Sequence, residues 1–353
     1  MKIRLSGSLS AVPLCFAAAF GVLVIFRARA SLDGMRAGLE MCASVVIPSL
    51  FPFMVISSFA SRVGVSRKIY AVADGVMRRV FHLPGDAVTA VVFGLLGGFP
   101  VGCSAVAQLY KDGRITQEQA QRLTLFCINA GPGFTVTAVG TVMLGSTKAG
   151  LILFAALCLS SVIIGFFLRF TAPVPEKKQN YSLLQTSVLS AFVDATEHGA
   201  KSMLRICAWV SLFFCIFSIV GDMGLNKTVQ TVIMCVAETT SGCKAAAETG
   251  NIFIVAATLG WSGFCVVCQI MGDVRCVGTP ISALLAFRAV HAGLSTVICR
   301  LLLYVFPIEV SVFSSFSGRA SGQLFSASAP AAVALMCLCI VFVVDLDRNK
   351  KMC

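Results

Sequence analysis

Long apolar runs alternate with short polar connections along most of this chain. Runs long enough to cross about 30 Å of hydrocarbon lie at 9–26, 42–60, 123–144, 150–168, 203–220, 251–271, 281–304 and 328–344, and each predicts a membrane-spanning helix. Two further runs, 87–110 and 229–249, are apolar at both ends but turn-like at the centre. Their centres read Gly97-Gly98-Phe99-Pro100-Val101-Gly102-Cys103 and Glu238-Thr239-Thr240-Ser241-Gly242-Cys243, which predicts two re-entrant helical hairpins, each entering and leaving on one side. Two of the crossings are interrupted as well, at Asn129-Ala130-Gly131-Pro132-Gly133-Phe134 and at Gly260-Trp261-Ser262-Gly263-Phe264. An unbroken helix satisfies its backbone amides and carbonyls internally, so a break survives in lipid only where protein or a water-filled cavity lines it. Matched interruptions in the two halves of a chain point to a binding site near the bilayer midplane.

The expected fold is all-α: a polytopic membrane protein with an inverted repeat, two re-entrant hairpins and two broken transmembrane helices. Residues 1–60 form N-terminal transmembrane helices and 61–172 the first repeat, with hairpin 87–110 and broken helix 123–144. A linker and interfacial helix occupy 173–202, and 203–306 is the second repeat, with hairpin 229–249 and broken helix 251–271. Residues 307–353 supply a last transmembrane helix and a basic tail. Pro173-Val174-Pro175-Glu176-Lys177-Lys178 marks the linker, since proline ends helices and charge holds a segment in water. Beyond it Leu184, Val188 and Phe192 recur at helical spacing, as on an interfacial helix. Thr116-x-x-Gln119 has the capping-box pattern that starts a helix. Ala28-Arg29-Ala30 imitates a signal-peptide cleavage site, but the preceding run is long enough to span and is expected to be retained.

Composition sharpens this picture. With 57% hydrophobic and 12% charged residues and a mean hydropathy of +0.89, the chain is unlike a soluble domain. The net charge of +12 lies in short connections rather than along one polar face, so it reads as a topology signal and not as a nucleic-acid surface. With the N-terminus inside, 18 Lys and Arg fall on the cytoplasmic side and 7 on the other, which favours cytoplasmic N- and C-termini. Most of the 16 cysteines sit in apolar runs, where cysteine acts as a small buried hydrophobe rather than part of a disulfide framework. Cys265-x-x-Cys268 lacks the second pair or histidines that a zinc site needs. There is no phosphate-binding G-x-x-x-x-G-K-[ST], no metalloprotease motif among three scattered histidines and no G-x-S-x-G elbow, so neither an enzyme nor a cofactor or metal site is expected.

A helix broken inside the membrane offers free amides, which suit anions, and free carbonyls, which suit cations or donors. The candidate substrate-binding residues are accordingly Gly98, Pro100, Gly102 and Ser104 at the first hairpin, and Asn129, Gly131 and Thr135 at the first broken helix. Their counterparts are Glu238, Thr239, Thr240 and Ser241 at the second hairpin, and Ser262 and Gln269 at the second broken helix. The plainer alternative is that the small residues only allow close helix packing. Glu238 is the carboxylate at a hairpin tip, placed to coordinate a coupling cation, carry a proton, accept hydrogen bonds from substrate, or pair with Lys244. Arg288 and His291 share a helix face with Ser295. They are positioned to attract an anion, unless Arg288 snorkels to the nearby helix end and His291 is a satisfied core histidine.

These motifs resemble those of the nucleoside-recognition or Gate-domain membrane proteins, and among them the YlbJ-type sporulation integral membrane proteins. The matching pieces add Ile47-Pro48-Ser49-Leu50-Phe51-Pro52-Phe53 and Gly113-Arg114-Ile115-Thr116 to the segments quoted above, and run from about residue 40 to 300. The sequence departs from the family at Gly131 and Gly133, where Asn-Asn-x-Ser-Pro-x-Phe is the usual pattern. The resemblance implies a fold similar to concentrative nucleoside transporters. It further implies a sporulation role in moving dipicolinic acid across the plasma membrane or the mother-cell-derived membrane around the forespore. The expected partners are a small-molecule anion and the lipid bilayer, with room for a coupling cation and a homo-oligomer. A nucleoside or nucleobase carrier is the alternative in kind, and a non-transporting gate or scaffold subunit of a sporulation membrane complex the alternative in class.

Overall fold

The computed structural model describes residues 11–63, 73–173, 187–221 and 226–308, and all regular structure within them is helical. Residues 174–186 of the linker and the expected crossing at 328–344 lie outside the described residues. Five stretches are long and apolar enough to cross a membrane: Ala28–Ile56, Thr147–Thr171, Val188–Gly221, Ile252–Val277 and Ile281–Val305.

Two long helices lie side by side. Ala28–Met41, a π-helical turn at Cys42–Val46 and Ile47–Val63 run on without a loop, so the crossing expected at 42–60 begins earlier, at Ala28. Its partner Val188–Gly221 runs antiparallel to it. Ser31 Oγ is 3.1 Å from Cys215 Sγ, a Cβ on Gly38 would meet Ser211, and Gly199 faces Val55. Small residues let the two backbones approach closely. The same packing explains why 188–202 is not a separate interfacial helix but the first part of one 34-residue helix. Ala191, Ala195 and Ser202 are buried there.

Ala11–Phe26, where a crossing was expected at 9–26, is a helix of 16 residues and is not among the five spanning stretches. Apart from it and short helical segments such as Met77–Phe81 and Arg169–Thr171, the remaining described helices fall into two units with the same order of elements. In the first, Ala87–Leu96 and Phe99–Lys111 form a hairpin, Gln117–Phe126 and the π-helical Gly133–Met143 flank an interruption, and Thr147–Leu168 follows. The second consists of Lys227–Ala237 and Thr239–Glu248, then Ile252–Trp261 and Gly263–Val277, then Ile281–Val305. Local chemistry starts several of these helices. Thr116 and Gln119 make the reciprocal capping box, Ser146 accepts from the Ala149 amide, and Asn226 and Asn251 cap the second unit.

The first hairpin's foot is closed by an ion pair between Asp86 and Arg114. The turn after Gly263–Val277 is bonded next to that foot: Gln121 Nε2 donates to Gly278 O at 2.7 Å and Gln117 Nε2 to Val277 O at 3.2 Å. Ile252, at the other end of the same broken helix, follows directly on the second hairpin. The two ends of that broken helix thus adjoin the feet of different hairpins.

Candidate functional site

Each hairpin tip nests in the break of the helix that follows it. Gly98 turns the first hairpin at φ +87° and ψ 177°, a region essentially closed to other residues. Across from it, a Cβ on Gly131 would lie 2.9 Å from Leu96 O and 3.0 Å from Gly98 N, so only glycine admits this approach. At the second tip Glu238 is extended and separates the arms. A Cβ on Gly263 would lie 3.1 Å from both Ala237 O and Glu238 Cα, the Thr239 hydroxyl donates to Ser262 O, and Trp261 Nε1 donates to Val236 O at 2.8 Å.

The two tips, the first break and the helix that follows the second break converge on one cavity, with about 470 Å³ of atom-free space counting its open mouth. Gly97 to Pro100 come from the first tip, Ala130, Gly131 and Phe134 from the first break, Glu238 to Thr240 from the second tip, and Val266 and Gln269 from beyond the second break. Leu50 and Met54 on one long helix and Ile206 and Val210 on the other complete the wall. A largely apolar lining with a few convergent polar groups is the usual makeup of a small-molecule site.

Electrostatically the tips differ. Phe99–Lys111 begins without a side-chain cap, and the Gly102 amide donates back to Gly98 O. The amides ahead of it, Pro100 excepted, leave the positive end of that helix facing the cavity. At the second tip the equivalent positions are occupied. Glu238 accepts from the Thr240 amide at 2.8 Å, the Ser241 amide at 2.6 Å and the Ser241 hydroxyl at 2.8 Å, and it is only 2% exposed. One tip thus offers donors to the cavity, and the other brings a carboxylate that already caps its own helix.

Of the residues expected at a site, Gly98, Pro100, Gly131, Glu238, Thr239, Thr240 and Gln269 line this cavity. The others lie behind it or beside it. Gly102 packs between Gly94 and Cys127 O, Ser104 donates to Asp273 Oδ2 at 2.8 Å, and Asn129 Nδ2 donates to Ser161 Oγ at 2.6 Å. Thr135 bonds back to Ala130 O, Ser241 serves the Glu238 cap, and the Ser262 hydroxyl turns to Trp261 O at 2.6 Å. Lys244 is exposed, and Glu238 takes its partners from its own helix instead.

Arg288 and His291 neither snorkel nor face the cavity. Arg288 is 1% exposed and donates to Ile128 O and to Leu125 O, the latter at 3.2 Å. It thereby satisfies carbonyls that the first break leaves without helical partners. His291 lies 3.2 Å from Gly260 O at the second break, 3.2 Å from Leu157 O and 3.1 Å from Ser161 Oγ. The aromatic and aliphatic walls, Phe99, Phe134 and Met54 among them, carry no mark in the sequence beyond hydrophobicity.

Helices of spanning length and a cavity built from hairpin tips and a helix break define an all-helical integral membrane protein. Residues 43–147 match the Gate family, described as nucleoside recognition. The chain is 25% identical over 292 residues to the sporulation integral membrane protein YlbJ of Bacillus subtilis (strain 168), an alignment that covers 70% of this chain and 72% of that protein. The chain is thus similar to YlbJ over most of its length, and its residues 43–147 match the Gate family. No solved structure matches the chain.

Proposed function

We propose that this protein is a membrane carrier for a small anionic metabolite, dipicolinate before others, and that it acts in sporulation. The observation that carries the reading is the meeting of two hairpin tips, the first helix break and the half-helix beyond the second break on one cavity, because broken helices survive in lipid only where protein or a cavity lines them. The first hairpin is re-entrant in this proposal, supported by its ion-paired foot, and the two units are inverted, supported by the two ends of one broken helix adjoining different feet and by the 18 to 7 charge bias. Apolar walls that include Phe99 and Phe134 suit a planar aromatic ring, and the uncapped helix start at the first tip suits a carboxylate. Glu238 lines the same cavity. A dianion beside it calls for a compensating positive charge, either a coupling cation or a proton on the carboxylate. The sporulation role rests on the likeness to YlbJ.

Loss of the gene from a sporulating host should leave spores poor in dipicolinate, with the content restored by the wild-type gene. Normal spore dipicolinate in the deletion strain contradicts the proposal. A nucleoside carrier is the second reading. It is favoured by Gln269 and Glu238 in one wall, a donor and acceptor set suited to a base or ribose, and by the description of the matching family.

A further inference from the structure

The long helix Val188–Gly221 carries an arginine where its apolar stretch begins. Arg205 is exposed, yet its neighbour Ile206 and, one turn on, Val210 are in the cavity wall. Its guanidinium reaches across to the broken helix Gly263–Val277, where Nη1 lies 3.5 Å from the backbone carbonyl of Gln269, itself a wall residue. The charge therefore stands beside the cavity, between two helices that both contribute to its wall. One turn earlier Lys201 and Glu197 pair with each other. Among the described residues no carboxylate pairs with Arg205, and the long carbonyl contact is a weak partner for a guanidinium.

An exposed arginine with no carboxylate partner has donors to spare for an anionic ligand. Arginine is also the side chain whose planar fork matches a carboxylate with two parallel hydrogen bonds. Inside the cavity, the first tip has no side-chain cap, whereas at the second tip Glu238 takes the Thr240 and Ser241 amides. A substrate with two carboxylates consequently finds fewer free amides for the second than for the first within the cavity.

We propose that Arg205 receives it: a specificity-determining residue beside the cavity that binds the second carboxylate of a planar aromatic dicarboxylate whose first carboxylate is held at the Gly98 tip. The inference rests on the anion-carrier reading above. It explains how a cavity with one uncapped tip discriminates between one and two carboxylates, and it places beside the cavity a charge that draws anions in.

The test is uptake by proteoliposomes containing wild-type protein, R205K, R205Q or R205M, with dipicolinate, picolinate and uncharged dipicolinamide as probes. Removing one charge-assisted contact should raise the dipicolinate KM by about tenfold or more in R205Q and R205M. Maximal rate should change little, and the picolinate KM should move much less, so the preference for two carboxylates collapses. R205K, which keeps the charge without the fork, should fall between. Either neutral variant that inserts decides the matter, because R205M retains an apolar side chain of useful length if R205Q does not. An unchanged ratio of dipicolinate to picolinate KM in a neutral variant overturns the role of Arg205 and leaves the carrier reading standing. Wild-type protein that takes up neither carboxylate overturns both.

Discussion

Replacing Gly98 with Ala isolates backbone strain at the cavity from every other change. A Cβ at Gly98 meets nothing closer than Gly131 N at 3.7 Å, so the methyl group has room. What it cannot tolerate is φ +87° with ψ 177°, a conformation that costs a non-glycine residue about 1–3 kcal/mol. If the tip relaxes to escape that strain, the amides facing the cavity move, and ligand binding bears the cost. At about 1.4 kcal/mol per tenfold, G98A should weaken dipicolinate binding by about tenfold, with insertion intact. Gly113 offers a matched control. It sits at φ +67° in the turn after the hairpin, with nothing within 4 Å of an added Cβ, and G113A should cost about 1–2 kcal/mol of stability without affecting affinity. Titration calorimetry on the purified proteins, together with thermal unfolding, separates the two. Wild-type affinity in G98A, or equal affinity losses in both variants, would refute the link between the tip backbone and the cavity.

Other consequences are more local. E238A removes the acceptor for two amides and a hydroxyl and should destabilise the protein by about 2 kcal/mol or more; an unchanged thermal midpoint would show that the cap contributes nothing. R288M leaves Leu125 O and Ile128 O without their donor and should cost about 1–3 kcal/mol, read as a lower unfolding midpoint in detergent; a midpoint equal to wild type would mean that the carbonyls find other partners. Cysteine-accessibility labelling on a background without native cysteines should place Lys111 and Arg79 on the cytoplasmic side and Lys148 opposite. Finding Lys111 and Arg79 on different sides would remove the first re-entrant hairpin.

Where a break is written in glycine and proline, the sequence showed it. Gly97-Gly98, Gly131-Pro132 and Ser262-Gly263 are all points where the helices stop or turn, because those residues act on their own backbone. Ala28–Met41 was hidden for the opposite reason. Its Arg29, Asp33, Arg36 and Glu40 look like a loop, and it is the packing of Gly34 and Gly38 on residues 211–218 of a distant helix that keeps it in the bundle. Arg288 was legible as an unusual charge but not as a brace, since the carbonyls it holds belong to a break some 160 positions away in sequence. The hydroxyls of Ser104 and Ser262 have the composition of site residues, yet a serine beside a break has other acceptors within reach, and these two take Asp273 and the Trp261 carbonyl. Which polar side chains face the cavity was decided by such short-range competition, which spacing does not reveal.

The central claim is that the cavity lined by the hairpin tips and the first helix break receives a small aromatic dianion. Competition binding to the purified protein, with dipicolinate, picolinate and a panel of nucleosides, tests it most directly. The account predicts that dipicolinate binds at least about tenfold more tightly than picolinate, that nucleosides fail to displace it, and that G98A reduces its affinity. Tight nucleoside binding with no measurable dipicolinate binding would contradict the account and establish the nucleoside reading in its place.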